Sequence, residues 1–357
     1  MKSGADAILF VSKGLTGLNV RLGGFRMIRK LVLASLMAAG LALPAAAQTF
    51  SPAVIFDMGG KFDKSFNEAA YNGAERFKKE AGGTYAEFEV TNEAQRTQAM
   101  QRLARGAGNV RPASIIVCIG FAFGSTLEQV AKEFPNTKFV IVDSVVDAPN
   151  VQSIVFREHE GSFLVGMAAA MASKTGKVGF VGGMDIPLIR KFHKGYEEGA
   201  LYVKKDAQVF MNMTGTTPAA WNDPTKGGEL ARSQFERGAD VIYAAAGATG
   251  LGVLQAAKDA GKLSIGVDSN QNHLHPGSVL TSMVKRVDVA VYNAFKTAKD
   301  GTWKAGMQSL GLKEDGVGYA LDANNEKLVT ADMKAKLDAA KADIIAGKIK
   351  VTDVTAK

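Results

Sequence analysis

From residue 53 onward, short apolar runs alternate with amphipathic stretches, and this order of elements constrains the fold more than any other feature of the chain. Runs at 53–57, 85–90, 114–119 and 139–143 read as strands, and 67–80, 93–105 and 125–134 read as the helices between them. Phe66, Ala70, Gly73 and Phe77 share one face of the first helix at 3.6-residue spacing. Ser65, with Glu68 three residues on, predicts a capping box at its start. Strands separated by helices pair in parallel, with helices covering both faces of the sheet. After a strand at 151–156 the pattern restarts, with helices at 162–172, 189–204, 225–237 and 250–259. The strands of this second unit are 177–181, 208–213, 241–246 and 264–268. A strand at 279–284, a helix at 287–299 and a final helix at 330–348 complete the chain. The expectation is two α/β units of similar size. No flexible linker separates them, so strands are expected to cross directly between lobes, with a cleft at the crossing.

The formal charge of +8 is concentrated at the front of the chain. Met27-Ile-Arg-Lys, the apolar run 31–43 and Ala45-Ala46-Ala47 read as a cleavable signal peptide over 27–47. Residues 1–26 then read as a mistaken upstream extension. Residues 1–47 hold Lys2, Lys13, Arg21, Arg26, Arg29 and Lys30 against Asp6, a net of +5, which leaves about +3 for the rest. With no dense Lys/Arg tract, that is no footprint for nucleic acid. The one cysteine, Cys118, lies inside the apolar run SIIVCIG and reads as a buried thiol. No cysteine follows the leader to carry a lipid, so the sequence predicts a soluble periplasmic protein without a lipid anchor.

In open α/β sheets, ligands bind beyond the carboxyl ends of the strands. The informative residues fall there: Asp57, Gly120-Phe121 and Asp143 in the first unit, and Gly182-Gly183-Met184-Asp185, Gly247 and Asp268 in the second. Asp57, Asp143, Asp185 and Asp268 each end an apolar strand, where an aspartate serves equally as a helix cap or as a ligand for hydroxyls or cations. Asp57 and Asp63 are spaced too widely for the acidic cluster of a Ca²⁺-dependent nucleoside-cleaving site. His273 and His275 form the one histidine pair with ligand-like spacing, and they read as surface loop residues. No Ser-His-Asp or Cys-His arrangement can be assembled. Gly247-Ala-Thr-Gly250-Leu-Gly252 opens a helix after a strand, as a tight turn presenting backbone N–H groups. Phe66 and Trp221, one per lobe, are either core residues or the two sides of a sandwich for a flat ring. Asp223-Pro224 reads as the cap and first residue of a helix. Lys285 reads as a solvated charge, as a donor to a ligand hydroxyl, or as a partner of Asp268.

These motifs occur in a fixed order: DMGGKFDKSFNEAAYNG (57–73), GFAFGSTLEQVAKEFPNTKFVIVDS (120–144), EGSFLVGMAAAMASKTGKVGFVGGMDIPLIRKF (160–192), WNDPTKGGELA (221–231), GADVIYAAAGATGLGVLQAAKDAG (238–261), IGVDSNQ (265–271) and VLTSMVKRVDVAVYNAF (279–295). In this order they resemble the basic membrane protein family of ABC-transporter substrate-binding proteins, the purine-nucleoside-receptor-like group. The resemblance implies a type I periplasmic binding protein fold of class α/β. Two Rossmann-like lobes, 48–157 plus 279–312 and 158–278 plus 313–357, would close on a ligand. It implies a purine nucleoside as that ligand, delivered to an ABC permease and its ATPase in the inner membrane by a monomeric receptor without cofactor, metal or catalysis. By motif, Asp57 would contact the base, Phe66 and Trp221 would stack on it, and Asp143, Gly247, Asp268 and Lys285 would hold the ribose hydroxyls. Met58 departs from the pattern where a polar residue could add a second base contact. Two alternatives stay open. One is a receptor for a sugar or other small polar metabolite. The other is a secreted nucleoside hydrolase with a divalent metal. A transcription regulator on this fold is excluded, because the leader stands where a DNA-binding headpiece would be.

Overall fold

The computed structural model describes residues 50–108 and 111–356. The leader and the extension before it lie outside the described residues. Two six-stranded sheets organise the rest. The first contains β1 (Pro52–Phe56), β2 (Ala86–Glu89), β3 (Ile115–Ile119), β4 (Lys138–Val142), β5 (Val151–Phe156) and β11 (Gly306–Leu310). Its order is β11-β5-β4-β3-β1-β2, parallel throughout. The second contains β6 (Lys177–Met184), β7 (Gln208–Gly215), β8 (Val241–Ala245), β9 (Leu263–Asp268), β10 (Val279–Lys285) and β12 (Val317–Tyr319). Its order is β12-β10-β9-β8-β6-β7, and β12 alone runs antiparallel to its neighbour.

Central strands such as PAVIF, IIVCI and VIYAA are buried along their whole length, because both faces of each sheet are covered. Alternation sorts their side chains. Val54 and Phe56 of β1 pack on the side of α1 (Phe66–Ala81) and α8 (Val287–Lys299). Ala53 and Ile55 pack on the side of α2 (Gln95–Arg105) and α3 (Gly124–Glu133), together with Cys118. In the second lobe, α4 (Glu158–Ala172) and α5 (Pro187–Val203) pack against each other, as do α6 (Pro224–Glu236) and α7 (Thr249–Asp259). The last helix, α9 (Ala331–Ile345), docks on α4.

The chain passes between the lobes three times: at Arg157 between β5 and α4, at Arg286 between β10 and α8, and over 311–316 between β11 and β12. The expected division assigned 279–312 to the first lobe. Hydrogen bonding instead joins β10 to β9 in the second sheet, so the return crossing falls after Lys285. This places Lys285 at the seam between the lobes.

The start of α1 also differs from the expected capping box. The Ser65 side chain makes no cap. Asp63 does the capping, its carboxylate accepting from the backbone N–H groups of Ser65 (2.8 Å), Asn67 (3.0 Å) and Glu68 (3.1 Å). Glu68 reaches back to the N–H of Lys64 at 3.2 Å. The Ser65 hydroxyl is thereby free to bond elsewhere. The cap of α6 follows the sequence expectation: Asp223 Oδ1 accepts from Lys226 N at 2.9 Å, and Pro224 is the first helical residue.

Candidate functional site: a cavity between the two sheets

Asp57, Phe66, Asp143, Trp221, Gly247, Asp268 and Lys285 line a single cavity. The space it leaves for the centres of water-sized molecules is about 80 Å³. Asp57, Asp143 and Gly247 follow the ends of β1, β4 and β8, and Asp268 and Lys285 close β9 and β10. Phe66 is the first residue of α1, and Trp221 ends a short 3₁₀ turn before α6. The two lobes repeat each other at these points. Gly120 (φ 119°) and Gly247 (φ 56°) follow equivalent strands, as do Asp143 (φ 69°) and Asp268 (φ 62°). A non-glycine residue with positive φ is uncommon, and aspartate is among the types that tolerate it. Two such aspartates facing one cavity mark a backbone shaped to aim carboxylates.

Lys285 organises the charge. It is 2% exposed, and its Nζ lies 2.6 Å from Asp143 Oδ2 and 3.0 Å from Glu158 Oε1. Glu158, fully buried, also pairs with Lys191 at 2.6 Å, and Lys191 donates to the Phe156 carbonyl at 2.9 Å. Burial opposes the Lys285 charge, but Asp143, Glu158 and Asp268 together outweigh it and hold the ammonium above its ordinary pKa. Burial raises the Asp143 and Asp268 carboxyls, with Lys285 pulling both down. Burial also pushes the Asp63 cap up to about 7, against its three N–H bonds. Asp143 Oδ1 is buried without a hydrogen-bond partner in the protein. The Phe66 ring lies 5.1 Å from Lys285 Nζ, so the aromatic wall and the charged floor adjoin.

At the other end, Asp57 Oδ1 accepts from Arg96 Nε (3.2 Å) and Nη2 (3.0 Å). Asn67 donates through Nδ2 to the carbonyls of Asp57 (3.3 Å) and Gly60 (3.2 Å). Trp221 packs against β6: a Cβ at Gly183 would stand 2.1 Å from its Cζ3. The GATGLG turn secures the Trp221 loop, since Thr249 Oγ1 donates to Ala220 O (2.8 Å) and accepts from Asp223 N (2.7 Å).

The lobes are joined across the cavity. Ser65 Oγ donates to Asp268 Oδ2 at 2.7 Å, Ser269 Oγ donates to Ser65 O at 2.8 Å, and Gln271 Nε2 donates to Lys64 O at 3.0 Å. Each bond runs from the start of α1 to the loop after β9, which is a closed arrangement.

Not every flagged residue converges here. Asp185 is held by Arg190 (2.7 and 2.8 Å) and is absent from the lining, so three strand-ending acids share the cavity, not four. His273 lines a separate groove. Among the described residues, no group of His, Cys, Asp and Glu is arranged to hold a metal ion. Sequence reasoning missed Arg96, Asn67, Glu158 and Lys191: Arg96 stands 39 residues from Asp57, and Lys191 reaches the Phe156 carbonyl 35 residues away, separations that no local motif reveals.

Comparison with known proteins identifies the family and the fold. The family model described as "ABC transporter substrate-binding protein PnrA-like" matches residues 50–355. An uncharacterized lipoprotein of Pyrococcus horikoshii is 39% identical over 278 residues, covering 75% of this chain and 68% of that protein. An ABC transporter nucleoside-binding protein of Lactococcus lactis is 35% identical over 321 residues, covering 84% of this chain and 88% of that one. The crystal structure of an ABC transporter solute-binding protein from Aeropyrum pernix is 32% identical, with a TM-score of 0.76, covering 84% of this chain and 92% of that one. The fold is therefore the type I periplasmic binding protein fold. The expectation of a protein without a lipid anchor is corrected: Pyrococcus relatives are named lipoproteins. A missing cysteine after a leader that lies outside the described residues is no ground for a free protein. The chain belongs to the family of PnrA-like ABC transporter substrate-binding proteins, and its part is to bind a solute for a permease and ATPase, not to catalyse a reaction.

Proposed function

We propose that the solute is a purine nucleoside, bound by a single chain as its lobes close. The observation that carries this reading is that aromatic side chains of both lobes, Phe66 and Trp221 among them, line a cavity whose floor is Asp143, Asp268 and Lys285. A flat base fits between aromatic faces, where stacking contributes about 1 kcal/mol per face. Vicinal hydroxyls fit a floor of carboxylates and an ammonium, through charge-assisted hydrogen bonds. Asp57 meets the base, Gly247 presents backbone to the ribose, and the unpartnered Asp143 Oδ1 accepts from a hydroxyl. The nucleoside-binding relative in Lactococcus lactis supports the same ligand class.

The test is thermal unfolding of the purified protein, stripped of carried ligand by unfolding and refolding, against nucleosides, free bases, ribose and other sugars. A ligand at 100 times its Kd adds about 2.7 kcal/mol. Stabilisation by purine nucleosides, recovered intact by chromatography, is the expected result. Stabilisation by a sugar alone would overturn the stacking roles of Phe66 and Trp221.

A further inference from the structure

We infer that the base end of the cavity selects a ring edge with two adjacent N–H donors beside a carbonyl, the guanine edge, over the adenine edge. This rests on the nucleoside reading above and narrows it. Arg96, 6% exposed, places two N–H groups on Asp57 Oδ1, and its Nη2 lies 3.7 Å from Met58 Sδ. Asp57 Oδ2 faces the wall at Gly120, where a Cβ would stand 3.0 Å away, so that wall stays bare of side chain. An ion-paired carboxylate only accepts hydrogen bonds. Asn67 adds a second acceptor. Its Nδ2 is committed to two backbone carbonyls, which fixes the amide orientation, and its Oδ1 is buried without a partner in a residue 3% exposed. Met58 supplies no donor.

Gly120 and Phe121 line the same wall at the start of the helical segment leading into α3. The wall offers acceptors at Asp57 and Asn67. Guanine complements them with N1–H and its 2-amino group. Adenine would turn the N1 lone pair toward a carboxylate oxygen, a repulsion that discriminates as strongly as the lost bond.

Calorimetric Kd values for guanosine, inosine, adenosine and 1-methylguanosine on the stripped protein test this directly. Guanosine should bind about 10- to 100-fold more tightly than adenosine, as loss of a charge-assisted bond implies. 1-Methylguanosine, lacking N1–H, should fall by a similar factor. Adenosine binding as tightly as guanosine, or 1-methylguanosine matching guanosine, would overturn the inference and leave the nucleoside reading intact. Failure of every nucleoside would overturn both. Asp57→Asn, which exchanges one acceptor for a donor, should weaken guanosine and spare adenosine. An unchanged gap in a folded variant would refute the role of Asp57. Should that variant misfold, the 1-methylguanosine comparison applies the same criterion to the native protein.

Discussion

Replacing Lys285 with methionine should destabilise the protein by about 3–5 kcal/mol near pH 8, the cost of removing one partner from a buried ion pair. The structure places the loss on Asp143. Glu158 keeps Lys191 at 2.6 Å, whereas Asp143 loses the ammonium at 2.6 Å that opposes its burial. The pH dependence follows from the sign of the shift. Burial raises the Asp143 carboxyl and Lys285 restrains it, so the variant's folded state takes up a proton at higher pH than either its unfolded state or the wild type. An acid with a raised folded-state pKa favours folding as pH falls through that value toward the ordinary carboxylate range. The variant should therefore recover about 1.4 kcal/mol per pH unit relative to wild type over the window where it alone binds the proton. Urea unfolding of both proteins at pH 8 and pH 5.5 measures the difference, which should shrink by about 2 kcal/mol or more. A deficit that is the same at both values, or below about 1 kcal/mol at pH 8, would refute the assignment of Lys285 as the counter-charge of a buried carboxylate.

Gly183→Ala should push the Trp221 ring aside, since the new methyl would lie 2.1 Å from Cζ3. Overpacking of this kind costs about 1–3 kcal/mol of stability, and solute affinity, read by titration, should fall by about tenfold or more with the displaced stacking surface. Ser65→Ala should leave α1 intact by circular dichroism while weakening solute binding by about 10-fold, because its hydroxyl bonds Asp268 of the other lobe and not the helix end. Asp63→Ala should lower stability by about 1–2 kcal/mol in urea melts as the cap of three N–H groups is lost.

The central strands were legible because full burial leaves an unbroken apolar run, as in IIVCI, and helices such as α1 because one face alone is buried. β11 and β12 left no such trace. Gly306–Leu310 is exposed except at Leu310, which packs against the core, and is held in its sheet by parallel backbone pairing, and Val317–Tyr319 is three residues long. The capping box was misread for a related reason. Asp63 and Ser65 are equally good caps by type, and what decides between them is Asp268, 203 residues away from Ser65. The strand-end residues of the cavity could be picked out because topology places strand ends at a cleft. Arg96 and Glu158 could not, since an Arg on an amphipathic helix and a Glu in a first turn look like solvated charges until the distant partner is known.

Cys118, the only cysteine of the chain, is fully buried in a central strand of the first sheet, and burial raises its thiol far above the range in which it reacts at neutral pH. It is therefore silent toward labelling reagents in the folded protein. A cysteine placed at an exposed site on each lobe, such as Val145 and Tyr202, would then be the only pair to take a fluorophore or spin label, with the native sequence otherwise untouched. Opening and closing could be followed as a change in one distance, in real time, as solute arrives and is handed on.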